Sequence, residues 1–169
     1  MMRIEVPDTA AMEAFGRQLG NALRAGDLVV LSGPLGAGKT TLTRGVGEGL
    51  GVRGPVQSPT FVLARTHPSV VGGPPLVHVD AYRLDSAELL DDLDLDFAHA
   101  VVVVEWGAGL LDDVAESWLD VVIERDEGTG TSQVTDAADA EFLGADEPRR
   151  LEVRGHGPRW AGSAFDAAQ

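Results

Sequence analysis

The chain has 169 residues, 44% of them apolar and 24% charged, as expected of one globular domain with a real core. Its formal charge of −14 argues against unaided binding to nucleic acid or an anionic membrane, both of which need basic patches. The absence of cysteine excludes disulfides, thiolate chemistry and Cys-ligated metals, and no apolar run approaches the ~18 residues of a membrane span.

In chain order, Met12, Phe15, Leu19 and Leu23 recur at helical spacing, which predicts a helix over 9–25 capped by Asp8 or Thr9. Gly26-Asp27 turns into a strand at Leu28–Leu31. Then comes Gly33-Pro34-Leu35-Gly36-Ala37-Gly38-Lys39-Thr40, followed by a helical stretch from Thr41 to Leu50 that carries three glycines. Strand, glycine-rich turn and helix in that order make a phosphate cradle, because the glycines let several backbone N–H groups point inward at a polyphosphate. The helix opening adds its dipole and its unpaired N–H groups. The expected nucleotide contacts run through Gly33, Leu35, Gly36, Ala37, Gly38, Lys39, Thr40 and Thr41. Lys39 would reach the β- and γ-phosphates, and the Thr40 hydroxyl would sit on Mg²⁺. Lys39 is the only lysine in the chain, kept where a compact ammonium suits phosphate.

Ser58-Pro59-Thr60 reads either as a rigid turn or as a switch-like loop that closes on the γ-phosphate through Thr60. Strand-like stretches at Phe61–Arg65 and Leu76–Val79 flank a Pro/Gly loop and predict a β-hairpin after the cradle helix. Leu84 to Phe97 is acidic with interleaved leucines, in part an amphipathic helix. The four valines of Val101–Val104 predict a parallel strand covered on both faces. Trp118–Arg125 predicts another strand, with Arg149–Arg154 as its antiparallel partner. Asp126 to Pro148 predicts a mobile acidic loop, and 161–169 a disordered tail. These elements predict an α/β fold of the P-loop NTPase kind. Its central sheet is expected to be mostly parallel and flanked by helices, in a single domain over 1–160.

Hydrolysis or transfer needs acids that place Mg²⁺ and a nucleophile. Two strands end in one: Asp80 after Leu76–Val79 and Glu105 after Val101–Val104. In open α/β sheets ligands bind beyond the carboxyl ends of the strands, so both acids face the cradle. Glu105 is the stronger candidate for the metal-site acid, and Asp80 would orient water or the metal's hydration shell. Trp106 packs in the core, beside the nucleotide or toward a partner. His78 and His99 read as structural residues, and His67 and His156 have no partner at metal-ligand spacing.

A guanine-reading N-K-x-D motif is impossible, since Asn21 and Lys39 are the only residues of their kinds. A small-molecule kinase would need an arginine-bearing lid, and between Leu84 and Pro148 only Arg125 occurs. Taken in series, GPLGAGKTT at Gly33–Thr41, SPTF at Ser58–Phe61, HVDAYRL at His78–Leu84 and VEWG at Val104–Gly107 resemble the TsaE (YjeE) family. That family supplies the ATPase subunit of bacterial tRNA threonylcarbamoyladenosine synthesis. The resemblance implies Mg²⁺-dependent binding of ATP, slow hydrolysis by the subunit alone, and docking on the TsaB–TsaD heterodimer, with tRNA met only through that complex. It implies phosphate and metal roles for Lys39 and Thr40, a metal-site role for Glu105 and an essential acid at Asp80. It also places Thr9 at the nucleotide base and raises the functional standing of Trp106. Cytoplasmic location is expected. A P-loop kinase and a non-catalytic nucleotide-sensing module are the competing readings.

Overall fold

The computed structural model describes residues 1–59, 63–83, 96–106, 115–125 and 147–167. Its elements are β1 (Met2–Val6), α1 (Thr9–Ala22), β2 (Leu28–Ser32), α2 (Lys39–Leu50), β3 (Ala64–His67), β4 (Leu76–Asp80), β5 (Val101–Glu105), β6 (Trp118–Arg125) and β7 (Arg149–His156). A single 3₁₀ turn, Ala81–Arg83, follows β4. The strands form one sheet in the order β1-β7-β6-β2-β5-β4-β3.

The four inner strands, β6, β2, β5 and β4, run parallel, while β1, β7 and β3 join antiparallel. The expected mostly parallel sheet is therefore corrected to a mixed one. Strand direction follows from how distant segments connect, which periodicity within one segment does not record. The predicted hairpin after the cradle helix is β3–β4, with Ala64 opposite Val79 and His67 opposite Leu76. Its first strand starts at Ala64, later than the sequence suggested, and Phe61 and Val62 lie outside the described residues.

Side-chain alternation explains which face is covered. Val29, Leu31, Leu76, Val101 and Val103 point to the face where α1 and α2 pack, together with Leu119, Val121, Ile123, Leu151 and Val153. Leu28, Val30, Val77, Val79, Val102 and Val104 form a second apolar layer on the other face. β5 is buried along its whole length, as parallel central strands are. β6 and β7, which pair antiparallel with each other, instead alternate buried and less buried positions, leaving one face of that part of the sheet wetter.

Helix α1 starts where Asp8, extended at φ −155°, accepts the N–H of Ala11. It stops at Ala22 because Leu23 returns to extended backbone, short of the expected residue 25. α1 and α2 cross at glycines. A Cβ on Gly16 would lie 2.5 Å from the Leu42 carbonyl oxygen, and one on Gly45 2.4 Å from that of Glu13.

Residues 161–167, in the stretch expected to be a disordered tail, make contacts with the rest of the chain. Trp160 is buried and meets Phe165 edge-on at 5.8 Å. Gly155 of β7 donates to Phe165 and accepts from Ala167, so the tail adds a short bridge to the sheet. Arg159 grips the buried Asp27 through Nε at 3.0 Å and Nη2 at 3.1 Å. Of the expected Leu84–Phe97 helix and Asp126–Pro148 loop, residues 84–95 and 126–146 lie outside the described residues. Among the described residues no helix is long and apolar enough to cross a membrane.

Candidate functional site

The site lies at the carboxyl ends of the inner parallel strands. β2 ends at Ser32, and the chain reverses through the glycine-rich loop into α2, whose first residue is Lys39. Gly36 and Gly38 hold φ of 74° and 104°, values that a side chain resists, so the turn depends on glycine at both. Gly38 is the N-cap of α2, and no side chain fills that position. The first N–H groups of α2 therefore open onto the loop, the geometry that favours an anion.

Register places the acids beside it. Asp80 pairs with Glu105, and Leu31 pairs with the same Glu105, so β2, β5 and β4 end level with one another. Thr40 Oγ1 donates to Glu105 Oε1 at 3.4 Å, joining the second residue of α2 to the end of β5. Glu105 Oε1 also meets His78 Nε2 at 2.7 Å. Asp80 is buried, and its Oδ1 accepts the N–H of Tyr82 at 3.0 Å.

Lys39 is only 5% exposed. Its ammonium donates to the carbonyls of Gly33 at 2.9 Å and Pro34 at 3.0 Å. Burial pushes its pKa below the ordinary value, and the nearby Glu105 and Asp80 pull it partly back. Trp106 takes left-handed backbone at φ 64°, with its N–H donated to Leu31 at 2.9 Å. That turn sets its indole 3.8 Å from the Lys39 ammonium and edge-on to Tyr82 at 5.3 Å.

The structure thus gathers Lys39, Thr40, Asp80, Glu105 and Trp106 around one loop. Thr41 follows on α2, and Leu35 stands 57% exposed on the loop's outer side, while Ala37 is buried beneath it. Thr9 opens α1, whose Met12 comes within 3.3 Å of where a Cβ on Gly38 would lie. Ser58 is described, and Thr60 lies outside the described residues. The flanks of that segment close on each other: Leu63 donates to Pro59 at 3.0 Å and accepts the N–H of Asp80 at 2.8 Å.

The histidines divide. His99 is exposed and pairs with Asp96, and His156 stacks on Trp118 at 4.6 Å. His78, read from sequence as structural, is buried against Glu105. The one signal for it in the sequence was its place two residues before Asp80, on the same side of a strand.

Strand, glycine-rich loop and helix, with two strand-end acids against the helix opening, define an α/β protein whose site lies at the carboxyl edge of its inner strands. The sequence pattern of the family described as threonylcarbamoyl adenosine biosynthesis protein TsaE matches residues 6–134. Over 153 residues the chain is 54% identical to the tRNA threonylcarbamoyladenosine biosynthesis protein TsaE of Streptomyces coelicolor, covering 89% of this chain and 94% of that one. It is also 54% identical to the Mycobacterium tuberculosis protein of that name over 129 residues, 71% of this chain and 75% of the relative. Among solved structures it resembles Bacillus subtilis YdiB, with a TM-score of 0.66 and 26% identity over 94% of this chain and 86% of the other. The chain belongs to the TsaE family of tRNA threonylcarbamoyladenosine biosynthesis proteins.

Proposed function

We propose that the protein binds ATP with Mg²⁺ in the glycine-rich loop and hydrolyses it, serving as a conformational switch on a TsaB–TsaD pair in the cytoplasm. In this reading tRNA is met only through the complex. The observation that carries it is the convergence of Lys39 and Thr40, at the start of α2, with Glu105 and Asp80, at neighbouring strand ends. A hard cation prefers oxygen ligands, and the Thr40 hydroxyl and Glu105 carboxylate, 3.4 Å apart, are two such oxygens beside an anion-ready helix opening. Thr40 and Glu105 would hold Mg²⁺ there, and the ion would supply neutralisation of the charge that builds on the phosphates.

The chain's own groups do the rest. Lys39, held by loop carbonyls, exchanges them for β- and γ-phosphate oxygens. A water attacks the γ-phosphorus in line, the bond to the β,γ-bridging oxygen breaks, and ADP and inorganic phosphate result. Asp80, fixed by the Tyr82 N–H, orients that water. Because the Asp80 N–H is tied to Leu63, contacts of the Ser58–Thr60 segment with the γ-phosphate bear on the acid's own strand. Thr9 would meet the base from the start of α1.

The test is phosphate release from ATP by the full chain, alone and with TsaB–TsaD, for wild type, Lys39→Ala and Glu105→Ala. The reading predicts slow release alone, strong stimulation by the pair, and loss of both in each variant. Turnover that appears only with a phosphate-accepting metabolite would replace it with a kinase. Full activity of the complex with a Glu105→Gln variant that binds ATP without hydrolysing it would replace it with a nucleotide sensor.

A further inference from the structure

His78 belongs to none of the roles above, yet it makes the shortest side-chain contact to Glu105 among the described residues, 2.7 Å from Nε2 to Oε1. Its ring is wholly buried. It pairs in register with Val103, two residues before Glu105, so the two side chains meet diagonally on the helix-bearing face of adjacent parallel strands. The Thr40 hydroxyl donates to the same Oε1, and among the described residues Oε2 takes no hydrogen bond.

The partners fix where the proton sits. Nε2 faces a carboxylate oxygen at hydrogen-bond distance, and only an N–H there is attractive. Nδ1 is buried and without a hydrogen-bond partner among the described residues. A proton on it would leave a buried donor orphaned, whereas an unfilled lone pair is tolerated more readily. Both facts select the imidazole with hydrogen on Nε2.

We infer that His78 is a positioning residue: its Nε2–H pins Oε1 of Glu105 from beneath, leaving Oε2 for the cation that Thr40 shares. The inference rests on the nucleotide-and-Mg²⁺ reading for the cation, and on the structure alone for the hydrogen bond. Outer partners of this kind orient a metal ligand, and their removal typically weakens metal affinity about 10- to 100-fold.

Two measurements on the full chain test it. The first is the imidazole ¹⁵N spectrum of His78 without nucleotide, assigned by its loss in His78→Gln. A proton on Nε2 is expected, and a bare Nε2 overturns the inference whether or not the protein hydrolyses ATP. The second is Mn²⁺ binding followed by electron paramagnetic resonance with ADP present, for wild type, His78→Leu and His78→Gln. His78→Leu should weaken Mn²⁺ about tenfold, while His78→Gln, whose side-chain amide restores a donor, recovers most of that loss. ADP affinity without metal should stay constant across the three. Mn²⁺ affinity unchanged in His78→Leu would make His78 a core filler only. A wild type that binds neither ADP nor Mn²⁺ sinks the nucleotide reading and, with it, the cation half of the inference, while the ¹⁵N result still decides the hydrogen bond.

Discussion

The ammonium of Lys39 rests 3.8 Å from the centre of the Trp106 ring, with its hydrogens given to the carbonyls of Gly33 and Pro34. A buried cation held this way is stripped of water, and its pKa falls for that reason. Lys39→Met should therefore remove nucleotide affinity together with a charge that the folded protein holds less readily than the unfolded chain. The sign with pH follows. Below its ordinary 10.5 the unfolded chain holds a proton that the folded Lys39 releases early, so wild-type stability rises through that alkaline window. Thermal unfolding of both proteins at pH 7 and near pH 10 checks this: wild type should gain stability relative to Lys39→Met at the higher pH.

Phosphate drawn into the loop would pull the ammonium off the indole. Tryptophan emission should change as ATP is added, and Trp106→Phe should remove that change although Trp118 and Trp160 remain. A titration of both proteins decides it. An equal response in Trp106→Phe would place the nucleotide away from this ring.

Much of this site was legible in the sequence because it is local. The turn needs its glycines, Lys39 follows them, Glu105 ends a run of four valines and Asp80 ends a mostly apolar strand. What was not legible depends on neighbours distant in the chain. β1 was missed although Met2, Ile4 and Val6 alternate, because its partner, β7, lies at the other end of the chain. The left-handed backbone falls on Trp106 itself, a residue type that does not announce it. His78 could not be joined to Glu105 without the register that brings β4 beside β5.

Asp27 is buried at the foot of β2, where it accepts from the Arg24 N–H and from both arms of Arg159. Among the described residues, Arg159→Ala leaves that carboxylate with one hydrogen bond, and it should cost about 2–3 kcal/mol. Adding Asp27→Asn should recover part of the loss, since the orphaned charge is gone. Urea unfolding of the two variants measures both steps.

His67 is buried on β3, and burial lowers its pKa, opposed by a hydrogen bond to the Arg53 backbone and helped by the neighbouring Arg65 charge. Below its ordinary 6.5 the unfolded chain takes up a proton that the folded ring refuses, so stability falls as pH drops through that value. His67→Leu should flatten this part of the profile, read as unfolding midpoints between pH 7.5 and 5.5, roughly one unit either side of the ordinary histidine value.

Gly16→Ala should destabilise the protein by about 1–3 kcal/mol despite alanine's better helix propensity, because the added methyl meets the Leu42 carbonyl oxygen at 2.5 Å. Gly72→Ala is the control for the unfolding measurement. A Cβ there meets nothing within 4 Å, so its loss should be confined to the strain of φ 79°.

Where Gly16 meets Gly45, backbone touches backbone with no side-chain layer between the helices. Close-packed side chains already transmit strain, although they can still change rotamer, and backbone set against backbone lacks even that freedom. Without it, α1 and α2 act as a single stiff strut. A tilt given to α2 when the loop at its head takes or loses a phosphate would arrive undamped at the opening turn of α1. The glycines that weaken α2 as an isolated helix are the ones that make it a good lever.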